Sequence, residues 1–547
     1  MFEQLIEAVK YNSLGQISHA LYEVGGSIGG ICRIKRDCFA NSYERHLCRG
    51  KSMAVRIDLK SPELFGNEAA EDEDEQVFWS NLLHRDDLAE FDALSNSIRV
   101  ISAYKGEGKS SLLRALASSM SKREDCLVIR TTGPAAAPDV ASPDTAKWAK
   151  AWKKSLFSLI AARVGVELGR SWNDDSISLV EEAEKQGFRR KSLVSTITDR
   201  LRPTITVGGS GAGLSVTKVD APEKNYEQIL KRFSSGQIHY IWIIVDDIDR
   251  NYRDTKFDKA KIVGFFDAIR DMHNAVPQLR VRTSIRPNVY SSVRLEHESF
   301  SHIRQYVSKI SWTETQIRQL LARRIEGYLS RTDQLNKTDL SKSGPDRDNE
   351  LISLAFESPV KWGGGERRRL VYIPLYTLSV HRPRWVIELC KLAASRHHSL
   401  GTKITIDDIL AEMPDFGESR KSDISAEFKP QCAQIDELID AFYGEKSIMS
   451  TEEVFAIIDS KILVAFTPNI AGMSGKPRAA DVASFLFEVG LFFGRRDCDD
   501  GTYEHISFAE RPSLLRSRVN PDEGLRWEIH PVFRQVLRTR SIESTSN

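Results

Sequence analysis

The sequence predicts an α/β fold built on a parallel sheet, and two segments carry that expectation. Residues 98–116 read IRVISAYKGEGKSSLLRAL. An apolar run with Val100 and Ile101 enters a turn holding Gly106 and Gly108. Lys109 and Ser110 follow, then a helical pattern with Leu112, Leu113 and Leu116. Residues 238–250 read IHYIWIIVDDIDR, and seven of the eight residues 238–245 are apolar or aromatic. Such runs, rich in β-branched residues, suit strands covered on both faces of a parallel sheet. Two further short apolar runs, 126–131 and 279–285, alternate with helical patterns, the order expected of strands joined by helical crossovers.

Strand, glycine-rich turn and helix give Gly-Lys-Ser a physical role. The turn lets backbone N–H groups face a polyphosphate at a helix N-terminus, where the dipole favours anions. The expected nucleotide-binding residues are Lys105, Gly106, Glu107, Gly108, Lys109, Ser110 and Ser111. Lys109 is expected to reach the β/γ-phosphates and the Ser110 hydroxyl to bind Mg2+. Ala103 stands where such loops usually start with glycine; the position needs a small residue, and alanine can serve.

Asp246 and Asp247 close the second apolar run, at the strand end where ligands bind in open α/β sheets. Asp246 is expected to hold Mg2+, directly or through water, and Asp247 to polarise the attacking water as general base. Asp249 is expected to order the loop. Separately, each segment has a plainer reading, an accidental turn or a solvated acidic strand end. Together they make a Mg2+-dependent nucleoside-triphosphatase the leading one. The loop reads phosphates and not the base, and ATP is the expected nucleotide.

The 547 residues allow two to four domains, and 77 Lys plus Arg against 76 Asp plus Glu leave a formal charge of +1. That balance argues against a chain coated for nucleic acid, though local patches are compatible with it. No apolar run approaches the ~20 residues needed to cross a bilayer. Glu3 and Glu7 interrupt the first apolar pattern and speak against a signal peptide. A cytoplasmic protein without membrane contact is expected. Cys32, Cys38 and Cys48 lie near His46, but with no CxxC pair; reduced thiols are a better reading than zinc.

Along the chain, residues 1–23 are helical in pattern and a glycine cluster follows. The run EAAEDEDE at 68–75 reads as a solvated helix start. Trp148 and Trp152 read as core. Residues 177–201 read as charged and helical, 205–217 as a glycine-rich hairpin rather than a dinucleotide loop, and 226–233 as a helix. A helix is expected over 261–272. In the run 279–285, LRVRTSI, Thr283 and Ser284 are expected to face the γ-phosphate, with Arg282 and Arg286 as charged alternatives or as edge cations in solvent. Another helix is expected over 312–328, and polar linkers over 333–350 and 415–427. Pro383 suits a first helical turn, flanked by Arg382 and Arg384. The macrodipole disfavours cations there, so an anionic partner is expected, either a γ-phosphate or a carboxylate. The C-terminal part reads as a helix over 479–489, strands over 491–495 and 503–508 around an Asp499-Asp500-Gly501 turn, a strand over 527–530 and a helix from Pro531. That order suggests a winged helix, in which Arg495, Arg496, Arg516 and Arg518 give modest basic character.

The acidic run before the phosphate loop, IIVDDIDR, RTSI, HRPRW and the closing WEIHPVF resemble, in this order, bacterial P-loop ATPases of the Sll-type group, related to KAP, STAND and AAA+ ATPases. The resemblance implies an AAA+/STAND-like core, a helical lid and a C-terminal winged-helix-like module. It also implies that Arg384 or Arg382 is the lid arginine that senses nucleotide. Ser284 stands where relatives often carry an acid, and KAP relatives often carry membrane segments. The implied organisation is an N-terminal segment (1–60), an ATPase core (61–332) with an insertion near 134–225, a lid (333–413) and a winged-helix-like domain (426–547). The implied activity is ATP hydrolysis as a switch or motor that drives homo-oligomer assembly or activates a protein partner, with a role in antiviral defence. The alternatives are a DNA-binding initiator or loader ATPase and a non-hydrolysing nucleotide-binding scaffold.

Overall fold

The computed structural model describes residues 57–540 except 69–71, 84, 86–88, 168–238, 339, 341–342, 364–366, 398–402, 474, 499–502, 509 and 516–521. The expectations for residues 1–56, including the cysteines near His46, lie outside the described residues. So do those for 177–201, 205–217 and 226–233, the Asp499-Asp500-Gly501 turn, Arg516 and Arg518.

The central sheet has the order β2-β3-β4-β1-β5, with β1 Ile98–Ser102, β2 Cys126–Thr132, β3 Tyr240–Asp246, β4 Leu279–Ile285 and β5 Val307–Lys309. Every neighbouring pair is parallel. The covering helices include α1 Lys109–Ser121, α2 Thr145–Glu167, α3 Lys256–Ala275 and α4 Pro287–Glu296. Side chains along β3 alternate between two cores. Ile241, Ile243 and Val245 pack with Trp152 of α2 and Phe265 and Phe266 of α3. Trp242 and Ile244 pack with Leu113 and Leu116 of α1. A strand with both faces covered has no polar face, which is why its sequence is one apolar run.

β4 lies between β1 and β3, so LRVRTSI is not an edge strand. Arg282 faces neither solvent nor phosphate. Its fully buried guanidinium lies over the Trp242 ring, 4.4 Å from the centroid. It donates to the carbonyls of Phe91 (2.8 Å), Asn96 (2.9 Å) and Ala93 (3.2 Å). Burial, with Arg280 and Arg99 nearby, pushes its pKa down to about 9. Arg282 is therefore a cap on the loop entering β1.

Beyond the sheet come α5 Glu314–Arg331, α6 Gly344–Ala355, β6 Val360–Lys361, β7 Arg368–Arg369, α7 Tyr372–Leu378, α8 Pro383–Arg396 and α9 Met413–Phe428. Both expected linkers contain helix instead. Residues 333–350 hold the short 3-10 helix Leu335–Lys337 and the start of α6, whose Pro345 sits in the first turn, where proline costs no hydrogen bond. Residues 415–427 are the interior of α9. Its buried Phe416, Ile424 and Phe428 keep helical spacing, while its polar character comes from residues that are themselves buried, among them Arg420 and Glu427.

The chain ends in an antiparallel sheet of order β10-β9-β11-β8, with β8 Ile448–Met449, β9 Phe492–Asp497, β10 Tyr503–Ile506 and β11 Arg526–Ile529, beside α10 Ala479–Val489. The short helix Pro531–Arg534 packs on α9, where a Cβ on Gly417 would lie 2.6 Å from the Val532 carbonyl oxygen. Arg495 bonds Asp497 at 2.7 Å and Glu528 at 3.1 Å, and Arg496 pairs with Glu504 at 3.6 Å. Arg495 thus helps hold the sheet together, while Arg496 stays exposed with only this loose pair. No helix among the described residues is long and apolar enough to cross a membrane.

Two predictions follow from the buried charges. Arg282→Met strands the three carbonyls and should lower unfolding free energy by about 3 kcal/mol, read from the denaturant midpoint. Burial of Glu528 works against its charge, but the His505 hydrogen bond and the Arg534, His505 and Arg495 charges outweigh it and hold the carboxyl at about 2. Its folded pKa is below the unfolded one, so its stabilisation is present above the ordinary glutamate range and lost as pH falls toward 2. Glu528→Gln should remove about 3 kcal/mol at neutral pH and flatten stability between pH 4.5 and 2. An unchanged acid titration of unfolding in this variant would refute the assignment.

Candidate phosphate-binding site

The phosphate loop leaves the carboxyl end of β1 and ends at α1. Gly106 and Gly108 both have positive φ, 88° and 93°. At Gly106 a Cβ would also lie 3.2 Å from the Arg384 Cβ, so glycine answers both the turn and the close approach of α8. Gly108 caps α1 without a side chain, leaving the first-turn N–H groups of Lys109, Ser110 and Ser111 without intrahelical partners. Such a turn is an anion cradle. The buried Lys109 amine donates to the carbonyls of Ala103 (3.0 Å) and Tyr104 (3.2 Å), curled back over the loop. Ala103 is fully buried beneath the turn, where its methyl is accommodated.

The aspartate loop reaches the same edge from β3, and β4 links the two. Along β4 the side chains alternate. Ser284 shares a face with Asp246 and donates to its carboxylate, while the Asp247 N–H bonds Asp246 at 2.9 Å and the Ser284 hydroxyl at 3.2 Å. Thr283, one residue away, points to the opposite face and is fully buried with no partner for its hydroxyl. It is not brought to the site, contrary to the expectation. Arg286 starts α4 and is held by Asp249: its N–H bonds the carboxylate at 2.9 Å and its Nε lies 3.4 Å away. Asp249 is fully buried and thus ties the aspartate loop to the end of β4.

Asp247 has φ 52°, in the left-handed region where an aspartate is uncommon. Burial, then Asp246 and Asp249, raises its pKa, while Lys109 and Arg286 pull the other way. A carboxylate with raised pKa is a better proton acceptor, the property a general base needs. Ser110 and Asp246 offer the hard oxygen donors that Mg2+ prefers.

The two arginines that flank Pro383 part company. Arg382 is buried and ion-paired to Glu427 at 2.9 Å, and it donates to the Lys105 carbonyl at 3.2 Å. Its guanidinium lies 5.2 Å from the Tyr104 centroid and 4.3 Å from that of Trp385. Burial works against its charge, but Glu427 and Glu107 hold its pKa up. Arg382 thus has a carboxylate partner at this helix start, one of the two kinds of anion expected there. Arg384 presses on the loop through its backbone, its N–H bonding the Gly106 carbonyl at 3.2 Å, and its side chain forms no ion pair among the described residues.

The fold is an α/β P-loop nucleoside-triphosphatase core. No family model and no curated protein matches the chain. Among solved structures it is similar to the Aeropyrum pernix ORC2 protein in ADPNP–ADP complexes (13% identity, 85% of this chain and 97% of that chain, TM-score 0.38). It is also similar to Drosophila ORC bound to DNA (10% identity, 83% and 94%, TM-score 0.26) and to Cdc6p from Pyrobaculum aerophilum (10% identity, 89% and 99%, TM-score 0.29).

Two residues that brace the loop escaped the sequence reading. Glu427 comes from α9, 322 residues beyond Lys105, and bonds its N–H at 3.3 Å. Trp312 donates to the Glu107 carbonyl at 3.0 Å, bracing the loop from outside the sheet. Neither carries a local pattern that could have marked it. One motif was present and unread: residues 336–339 are Asn-Lys-Thr-Asp, the Asn/Thr-Lys-x-Asp pattern of guanine readers. Its first two residues end the 3-10 helix Leu335–Lys337 at the end of α5, where the Gln334 N–H bonds the Leu329 carbonyl at 2.8 Å. The phosphate-loop contacts run instead to α8, α9 and Trp312.

Lys109→Ala should abolish nucleotide binding. Asp247→Asn should bind within about threefold of wild type but hydrolyse at least ~100-fold more slowly. Equilibrium binding and phosphate release check both, and wild-type turnover in both variants would sink the assignment.

Proposed function

We propose that this chain binds and hydrolyses ATP with Mg2+, as a cytoplasmic AAA+/STAND-like switch or motor. The observation that carries the reading is the convergence of the phosphate loop, the Ser284–Asp246–Asp247 cluster and two lid arginines on one edge of one sheet. Lys109 and the N–H groups opening α1 would bind the phosphates, and Ser110 and Asp246 would hold Mg2+, which offsets phosphate charge. Asp247 would accept the proton of the attacking water. Arg384 would face the phosphates with the more available side chain, while Arg382 is engaged elsewhere. The lid packed directly on the loop supports a switch: a group added or lost at the phosphates alters contacts to α8 and α9. Homo-oligomer assembly and activation of a protein partner are the outputs we assign to that switch, with antiviral defence as its setting.

A second reading is a DNA-associated ATPase whose last four-stranded sheet belongs to a winged helix. One surface favours it. Arg367, Arg368 and Arg369 are consecutive and exposed on the β6–β7 ribbon, with no ion pair among the described residues. Arg368 stands directly opposite Lys361. Such a run of exposed cations is the kind of surface a polyanion would engage.

Turnover measured with ATP and with GTP, each with and without duplex DNA, tests both readings, together with particle mass with and without nucleotide. The switch reading expects ATP turnover without DNA and a nucleotide-dependent mass. Turnover only with DNA, abolished when Arg367–Arg369 are replaced by alanine, would favour the second. Binding with no phosphate release under any condition would leave a scaffold.

A further inference from the structure

Glu427 sits one residue from the end of α9, deep in the lid, and only 5% exposed. One carboxylate oxygen accepts from the Lys105 N–H at 3.3 Å and the other from Arg382 Nη1 at 2.9 Å. Thus a carboxylate from the lid already engages a phosphate-loop amide and a lid arginine. Nearby, the Asp423 carboxylate lies 3.4 Å from the Lys105 amine, and the Glu427 carbonyl accepts from Asn288 Nδ2 at 3.2 Å. The end of α9 is thereby fastened both to the phosphate loop and to the start of α4.

We propose that Glu427 is a built-in competitor of the terminal phosphate, holding Lys105 and Arg382 until a triphosphate displaces it and releases α9 from the loop. The inference rests on the nucleotide-binding reading above and adds its regulation. The chemistry is exchange of one anion for another. Arg382 is buried, and a buried guanidinium stripped of its anion is strongly unfavourable. Glu427 therefore leaves only when another anion takes its place. A terminal phosphate carries the charge and the acceptor oxygens to serve both donors. A diphosphate ends one group short and leaves the clasp closed. The loop then discriminates tri- from diphosphate through the lid, and the discrimination appears as α9 held or freed.

The same clasp has a plainer role, as a brace that orients Arg382, and the two roles predict opposite results. Binding of a non-hydrolysable ATP analogue and of ADP is measured on wild type, Glu427→Gln and Asp423→Asn. If Glu427 competes, Glu427→Gln should tighten the triphosphate analogue about tenfold and change ADP less than about threefold, because the binding-competent fraction rises for one ligand only. Asp423→Asn, which loosens the same helix end from a half-buried position that also pairs with Arg420 at 3.2 Å, should shift the analogue in the same direction by about threefold. Weaker analogue binding in Glu427→Gln, or equal shifts for both nucleotides, would overturn the proposal and leave Glu427 a brace. If thermal melting shows Glu427→Gln unfolded, Asp423→Asn decides alone: selective tightening supports competition, and any other outcome refutes it. Wild type binding neither nucleotide would instead refute the nucleotide reading itself.

Discussion

The placement of β4 between the phosphate-loop strand and the aspartate strand governs the rest of this molecule. It fixes how far apart the phosphate loop and the two aspartates stand. It also sets which of its own side chains can bridge them, because a strand turns alternate residues to opposite faces. Ser284 falls on the face of Asp246 and bonds it; Thr283 falls on the other face and is lost to the core. Arg282, two residues before Ser284, shares its face but lies too deep, and serves the carbonyls of the loop that enters β1. One register decides all three fates.

The sheet was legible because burial on both faces leaves an unbroken apolar run, and the runs at β1, β2, β3 and β4 all became strands close to the expected bounds. The phosphate loop was legible because its chemistry is local: glycine, lysine and serine must be adjacent in the chain to act together. The position of Asp246 and Asp247 was legible too, because the apolar run ends where they begin, at the carboxyl end of β3. What stayed hidden was assembled across distance. Glu427 belongs to a segment whose polarity resembles a linker, and only the ion pairs with Arg382 and neighbouring groups explain how those polar residues can be buried in a helix. The choice between Thr283 and Ser284 depended on the phase of a strand whose both faces are covered, which composition does not reveal.

Charge is handled by the same economy throughout the described chain. Buried cations are matched to carbonyls, as at Arg282, or to carboxylates, as at Arg382 and at Arg420, which grips Glu388 through two hydrogen bonds of 2.6 and 3.0 Å. Arg382 and Arg420 also lie on the Trp385 ring. These stacked pairs stiffen the region where α8 and α9 meet, since breaking one exposes the charge of the next. The near-zero net charge of the whole sequence conceals this internal pairing.

The helix α9 touches the phosphate loop at Glu427 and the C-terminal module at Gly417, where the Val532 carbonyl leaves no room for a side chain. Ten residues of helix separate the two points, about 15 Å of stiff rod. A rod pinned at both ends is a lever. A shift at the phosphate-loop end is carried along such a rod toward the place where it meets Val532. One helix thus joins the phosphate loop to the short helix that packs beside the C-terminal sheet.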